Sequence, residues 1–169
     1  MHAEPQKLSP HAVNGVDEPA TVVLDDGEIF ALLRTGSDHL YESRSRDSVA
    51  TWETPAPSPL QGHNAPASLW RLRGRSDVVV AWDNSSRNRW PLDVALSADR
   101  GKSWTKPRHL VSDENRQPAW QASYPSITQT PDGAIFVAWQ QDRAGERGRD
   151  IRWARFNVAW MLQGDNNRP

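Results

Sequence analysis

No cysteine occurs in this chain of 169 residues, which excludes disulfides and cysteine-ligated zinc without fixing a compartment. Neither sign of charge dominates: 20 Lys and Arg against 21 Asp and Glu leave a formal charge of −1. No basic face is evident, so nucleic acid is a poor partner. No apolar run is long enough to cross a bilayer. Residues 1–10 lack a charged head followed by an apolar core, so no secretory signal is visible there, and one on a longer precursor stays open. The five histidines are scattered and none has metal-ligand spacing. Neither a Gly-x-Ser-x-Gly elbow nor a phosphate-cradling glycine loop is present. The sequence therefore calls for no metal and no cofactor.

What the chain has in quantity is tryptophan, nine residues, with 13 Pro and 10 Gly dispersed along its length. Trp joins a large apolar body to one N–H donor and suits sheet packing and sugar-binding surfaces alike. Dispersed Pro and Gly point to many short strands joined by turns.

The strongest local signal is Ser97-Ala98-Asp99-Arg100-Gly101-Lys102-Ser103-Trp104, which reads Ser-x-Asp-x-Gly-x-x-Trp. A degraded copy, Ser45-Arg46-Asp47-Ser48-Val49-Ala50-Thr51-Trp52, keeps Ser, Asp and Trp but has Val49 in place of Gly. Asp47 and Asp99 are 52 residues apart, and Gly27 and Gly133, in two Asp-Gly turns, are 106 apart, twice 53. Such spacing signals a repeat architecture. Strand patterns fall into three blocks, approximately 14–58, 59–115 and 116–161, each with β-branched and aromatic runs bounded by turns and none with a helical period. Residues 1–13 have no strand pattern and 162–169 form a polar tail. In each Ser-x-Asp turn the side chains can bond backbone N–H groups, so these turns locate the repeats and do not carry the chemistry.

The Ser-x-Asp-x-Gly-x-x-Trp stretch is the Asp-box (BNR) pattern, and the chain resembles the bacterial sialidases and their sialidase-like relatives. Further support comes from Asp17-Glu18-Pro19-Ala20-Thr21, Leu33-Arg34-Thr35, Arg89-Trp90-Pro91-Leu92, Ser123-Tyr124-Pro125-Ser126-Ile127 and a closing strand expected over Arg152 to Trp160. The resemblance implies an all-β propeller of the six-bladed sialidase type, with about three blades in this chain, corresponding to the C-terminal half. It implies a retaining exo-sialidase-like glycoside hydrolase acting on sialic acid or a related acidic sugar. Family members are often secreted or periplasmic. In the family three arginines grip the substrate carboxylate and a tyrosine paired with a glutamate is the nucleophile. Glu18 resembles that glutamate, Arg34 and Arg89 resemble the second and third arginines, and Tyr124 resembles the nucleophile.

The residue types fit the chemistry. Guanidinium forks bind a planar carboxylate bidentately. A neutral phenol approaches an anionic sugar that would repel a carboxylate nucleophile. Arg87 competes with Arg89 for its role. Asn64 is a pocket-lining candidate, with a loop turn the blander reading. Trp90 and Trp120 are candidates for stacking on sugar, against the commoner packing role.

The family's first arginine, its acid/base aspartate and its early Arg-Ile-Pro segment are not found. Three readings follow: the back half of a longer enzyme, a chain that pairs with a second copy, or a carbohydrate-binding or scaffold propeller without turnover. Open blades expose edge strands and an apolar flank, so self-association is expected.

Overall fold

The computed structural model describes residues 15–112, 121–142 and 148–163. The expected N-terminal extension, Trp120 and most of the polar tail lie outside these residues.

The fold is all-β, built from three antiparallel sheets. The first contains β1 (Val16–Val23), β2 (Ile29–Thr35), β3 (His39–Ser45) and β4 (Ala56–Gln61), hydrogen-bonded in chain order. The second contains β5 (Ser68–Arg71), β6 (Val78–Asp83), β7 (Leu92–Ser97) and β8 (Arg108–Val111), again in chain order. The third contains β9 (Ala122–Gln129), β10 (Ile135–Asp142) and β11 (Arg149–Phe156), with β10 central. The sheets meet through their opening strands, β1 against β5 and β5 against β9.

The strand period of two explains the core. β6 and β7 are buried at every position because sheets cover both their faces. Val78, Val80 and Trp82 join Phe30, Leu32 and Leu40 in one cluster. Val79 and Ala81 turn the other way, into a cluster with Ile127, Ile135 and Val137. The Trp82 indole N–H donates to the Gln61 carbonyl at 2.8 Å, so this buried ring keeps a polar partner. The third sheet leaves one face open: Ile151 is 74% exposed and Trp153 is 63% exposed, stacked on Phe136 with centroids 5.5 Å apart.

Two edge strands escape the sequence reading. β4 reads Ala-Pro-Ser-Pro-Leu-Gln, and its two prolines survive because an edge strand has one ladder only. It also crosses the expected boundary between residues 58 and 59. β8 has just four residues. One expectation is corrected: β11 ends at Phe156, and Val158–Leu162 forms a short helix, α1, where the closing strand should have reached Trp160. Asn157 caps it, its side chain accepting from the Trp160 N–H at 2.8 Å, and Trp160 then packs on Phe156 with centroids 4.9 Å apart.

Both Ser-x-Asp turns have the same hydrogen bonds. In the intact copy Ser97 Oγ donates to Asp99 Oδ1 at 2.8 Å and accepts from the Gly101 N–H at 2.7 Å, while Asp99 Oδ1 accepts from the Ser103 N–H at 2.8 Å. In the degraded copy the matching distances are 3.0, 3.0 and 2.9 Å, with Val49 N–H in place of Gly101 N–H. Val49 adopts φ 67° and Gly101 φ 85°. The Ser103 contacts hold the Asp99 carboxyl down at about 2 against the opposing effect of desolvation.

Candidate functional site

The opening strands β1 and β9 each carry a bulge. In the β1–β2 pair Asp17 faces Arg34 and Ala20 faces Leu32, so Glu18 and Pro19 together occupy one place in the ladder. In the β9–β10 pair Ser123 faces Gln140 and Ser126 faces Ala138, so Tyr124 and Pro125 do the same. Glu18 has φ 41° and Tyr124 φ 56°, the left-handed region that ordinary side chains avoid. Each bulge re-aims one side chain out of the strand's regular alternation. Asn64, in the loop entering β5, has φ 49°. Its N–H donates to the Thr35 carbonyl at 3.0 Å.

These three residues meet two arginines. Arg34 Nη1 donates to Glu18 Oε2 at 2.6 Å and lies 3.5 Å from the Tyr124 hydroxyl. Arg34 Nε and Nη2 donate to Asn64 Oδ1 at 3.0 and 2.8 Å. Arg89 Nη2 donates to the Asn64 backbone carbonyl at 2.6 Å, and its guanidinium carbon lies 5.4 Å from the Tyr124 ring centroid. Asn64 thus engages Arg34 with its side chain and Arg89 with its backbone. Glu18, Arg34, Asn64, Arg89 and Tyr124 thus converge on one cluster. Arg87 is exposed and does not join it.

Partial burial of the Arg34 side chain works against its charge, but Glu18 and Tyr124 outweigh this and hold its basicity above the ordinary arginine value. A guanidinium has five N–H donors in a planar fork. The contacts above use Nε and Nη2 once each and Nη1 twice, which leaves one N–H on Nη2. Binding a planar carboxylate bidentately requires a second donor, which the neighbouring Arg89 guanidinium can supply or which Arg34 gains by giving up one of these contacts.

Trp90 is buried in the core between the second and third sheets, so packing describes it. The Trp90–Pro91 peptide is cis.

Two residues beneath the cluster were missed from the sequence. Asp83, at the end of β6, is 2% exposed, and its Oδ2 accepts from Ser123 Oγ at 2.8 Å. Burial raises its carboxyl to about 7, opposed by the Ser123 hydrogen bond and the charge of Arg89, and assisted by Asp93. Asp93 is itself pushed up by burial, opposed by hydrogen bonds from His109 and from Asn84 at 2.8 Å. An acid closing the run Val-Val-Val-Ala-Trp was a visible oddity, because such a run predicts a strand covered on both faces. Nothing in the sequence marked Ser123 as its partner. Among the described residues no group of three or more His, Cys, Asp or Glu side chains is placed to hold a metal ion.

A family model described as BNR repeat-like domain matches residues 3–137. A 52-residue stretch, 28% of this chain, is 40% identical to an exo-alpha-sialidase from Arthroderma benhamiae and covers 13% of that relative. Among solved structures, a point mutant of NanB sialidase from Streptococcus pneumoniae matches 86% of this chain and 24% of its own, with TM-score 0.67 and 19% identity. The alpha-L-arabinofuranosidase Arb93A from Fusarium graminearum matches 92% of this chain and 48% of its own, with TM-score 0.66 and 13% identity. At these identities the structural likeness is one of fold. The chain spans well under half the length of the sialidases it matches.

Proposed function

Because this chain belongs to the sialidase-like BNR repeat family, a family of glycosidases, we propose that it supplies part of the active site of a retaining exo-sialidase-type hydrolase acting on a carboxylate-bearing sugar. Its three sheets are then blades of a six-bladed propeller, the rest coming from further sequence or a second copy.

The observation that carries this reading is the convergence of Arg34, Arg89, Glu18 and Tyr124 from three separate chain regions. Arg34 and Arg89 bind the sugar carboxylate. Tyr124 Oη bonds to the anomeric carbon while the bond to the leaving oxygen breaks. Glu18, on the same Arg34 nitrogen as the phenol, takes the phenolic proton. An acid from outside this cluster protonates the leaving oxygen, and water then displaces Tyr124 with net retention.

One observation favours the second reading, binding without turnover. Among the described residues, Glu18 is the sole carboxylate bonded to the two site arginines, and it is already paired with Arg34. A single glycan-binding function needs no further acid.

The test for the carboxylate reading is a titration of the protein, followed by NMR, with N-acetylneuraminic acid and with its neutral methyl ester. The acid should bind at least about tenfold more tightly, as expected for paired charge-assisted bonds. Equal binding of both would overturn it. Hydrolysis of a methylumbelliferyl sialoside then separates enzyme from binding module.

A further inference from the structure

Tyr124 has an improbable backbone. A tyrosine in the left-handed region is strained and persists only where its surroundings hold it there. On one side Pro125 restricts the chain. On the other side stand Ala122 and Ser123, and both are tied to the second sheet. The Ala122 N–H donates to the Arg89 carbonyl at 3.1 Å, and the fully buried Ser123 hydroxyl donates to Asp83. Asp83 ends β6, and Arg89 lies in the loop that leads from it to β7. These two bonds therefore set the tyrosine-bearing bulge in register with the loop that presents Arg89.

The acceptor is an expensive one. Asp83 Oδ1 is buried with no hydrogen-bond partner among the described residues. A buried polar atom left unpaired costs stability, and an apolar side chain of similar volume would not. A carboxylate at this place is poor packing and a good fixed acceptor.

We propose that Asp83 is a positioning residue for Tyr124: by accepting the Ser123 hydroxyl it fixes the left-handed turn that sets the phenol ring beneath Arg89. Its importance for turnover rests on the nucleophile reading of Tyr124 above, whereas its effect on the ring's place does not. The role belongs to the acceptor oxygen and not to the charge, so an amide substitutes for the carboxylate.

The experiment compares Asp83→Asn, Asp83→Leu and Ser123→Ala with the unaltered chain. The first readout is the nuclear Overhauser contact between the Tyr124 ring and the Arg89 side chain. The chain has only two tyrosines, and Tyr124→Phe assigns the signals. Asp83→Asn should keep the contact. Asp83→Leu and Ser123→Ala should lose it, with Asp83→Leu at least as resistant to unfolding as the parent. The parent contact surviving in a folded Asp83→Leu or Ser123→Ala protein, or lost in Asp83→Asn, would overturn the proposal. The second readout is sialoside hydrolysis by the polypeptide that carries this chain. Asp83→Leu and Ser123→Ala should lower kcat about tenfold or more with little change in KM, as misplacement of a reacting group does. A parent protein with no hydrolysis would remove the nucleophile reading and leave the contact test standing.

Discussion

Glu18 and Tyr124 hold equivalent positions in two different sheets: each is the left-handed residue before a proline, in a bulge of its sheet's opening strand. Through those bulges both side chains reach the same nitrogen of Arg34. A repeated backbone irregularity thus brings together two groups 106 positions apart in the sequence.

Tyr124→Phe removes the phenol oxygen and little else. Hydrolysis should fall by about a thousandfold or more, the scale expected when a nucleophile is deleted, while affinity for N-acetylneuraminic acid changes by less than about threefold. Steady-state kinetics with a parallel binding titration measure both. An unchanged rate would remove Tyr124 from the chemistry.

Arg89→Lys exchanges a fork for a point charge. Affinity for the free sugar acid should drop about tenfold, and affinity for its methyl ester should hold. Equal losses for the two ligands would mean that Arg89 supports the site without reading the carboxylate.

Asp83 makes stability depend on pH in an unusual direction. Its folded value of about 7 lies above its ordinary 3.8, so between those values the folded protein keeps a proton that the unfolded chain has released. Stability therefore declines as pH rises from about 4 to about 7, by up to roughly 4 kcal/mol from this group. Asp99 acts oppositely: held down at about 2, it adds stability above 3.8 that is lost as pH falls toward 2. Urea midpoints measured from pH 4 to pH 8 should decline in the parent and decline less steeply in Asp83→Asn, where Asp93, also raised by burial, still contributes. A parent curve already flat across that range would contradict the burial argument.

Backbone strain in the two Ser-x-Asp turns predicts substitutions of opposite sign. Val49→Gly should stabilise by about 1 kcal/mol, because a β-branched residue at positive φ is strained and glycine is not. Gly101→Ala should destabilise by roughly 2 kcal/mol or more, since the new methyl would lie 2.8 Å from Phe30 Cε1 at a backbone angle alanine avoids. Thermal melts of the two variants settle both signs.

The open face of the third sheet should drive association. Ile151 and Trp153 lie on one side of the edge strand β11, both well exposed. Sedimentation across a dilution series should show concentration-dependent species, reduced by Ile151→Ser with Trp153→Ser. A sharp monomer at every concentration would refute this.

The central strands were legible, and the five residues of the Arg34 cluster stood out, because their chemistry is local. β-branched runs between Asp-Gly turns define strands, and Glu-Pro, Tyr-Pro and isolated arginines stand out against them. β4 and β8 were not legible, since edge strands need neither alternation nor freedom from proline. The Trp160 segment reads as a strand because its aromatics suit one, whereas the Asn157 cap starts a helix there. Asp83 and Ser123 are joined only across sheets, 40 positions apart, and no local pattern records such a bond.

Val49 has a consequence for how such repeats are counted. Its turn retains the three hydrogen bonds of the intact copy although the glycine that defines the motif is gone. Letters can be lost from a recurring turn while its Ser and Asp still organise the loop. A census of these repeats by spelling alone would score one where the described residues hold two.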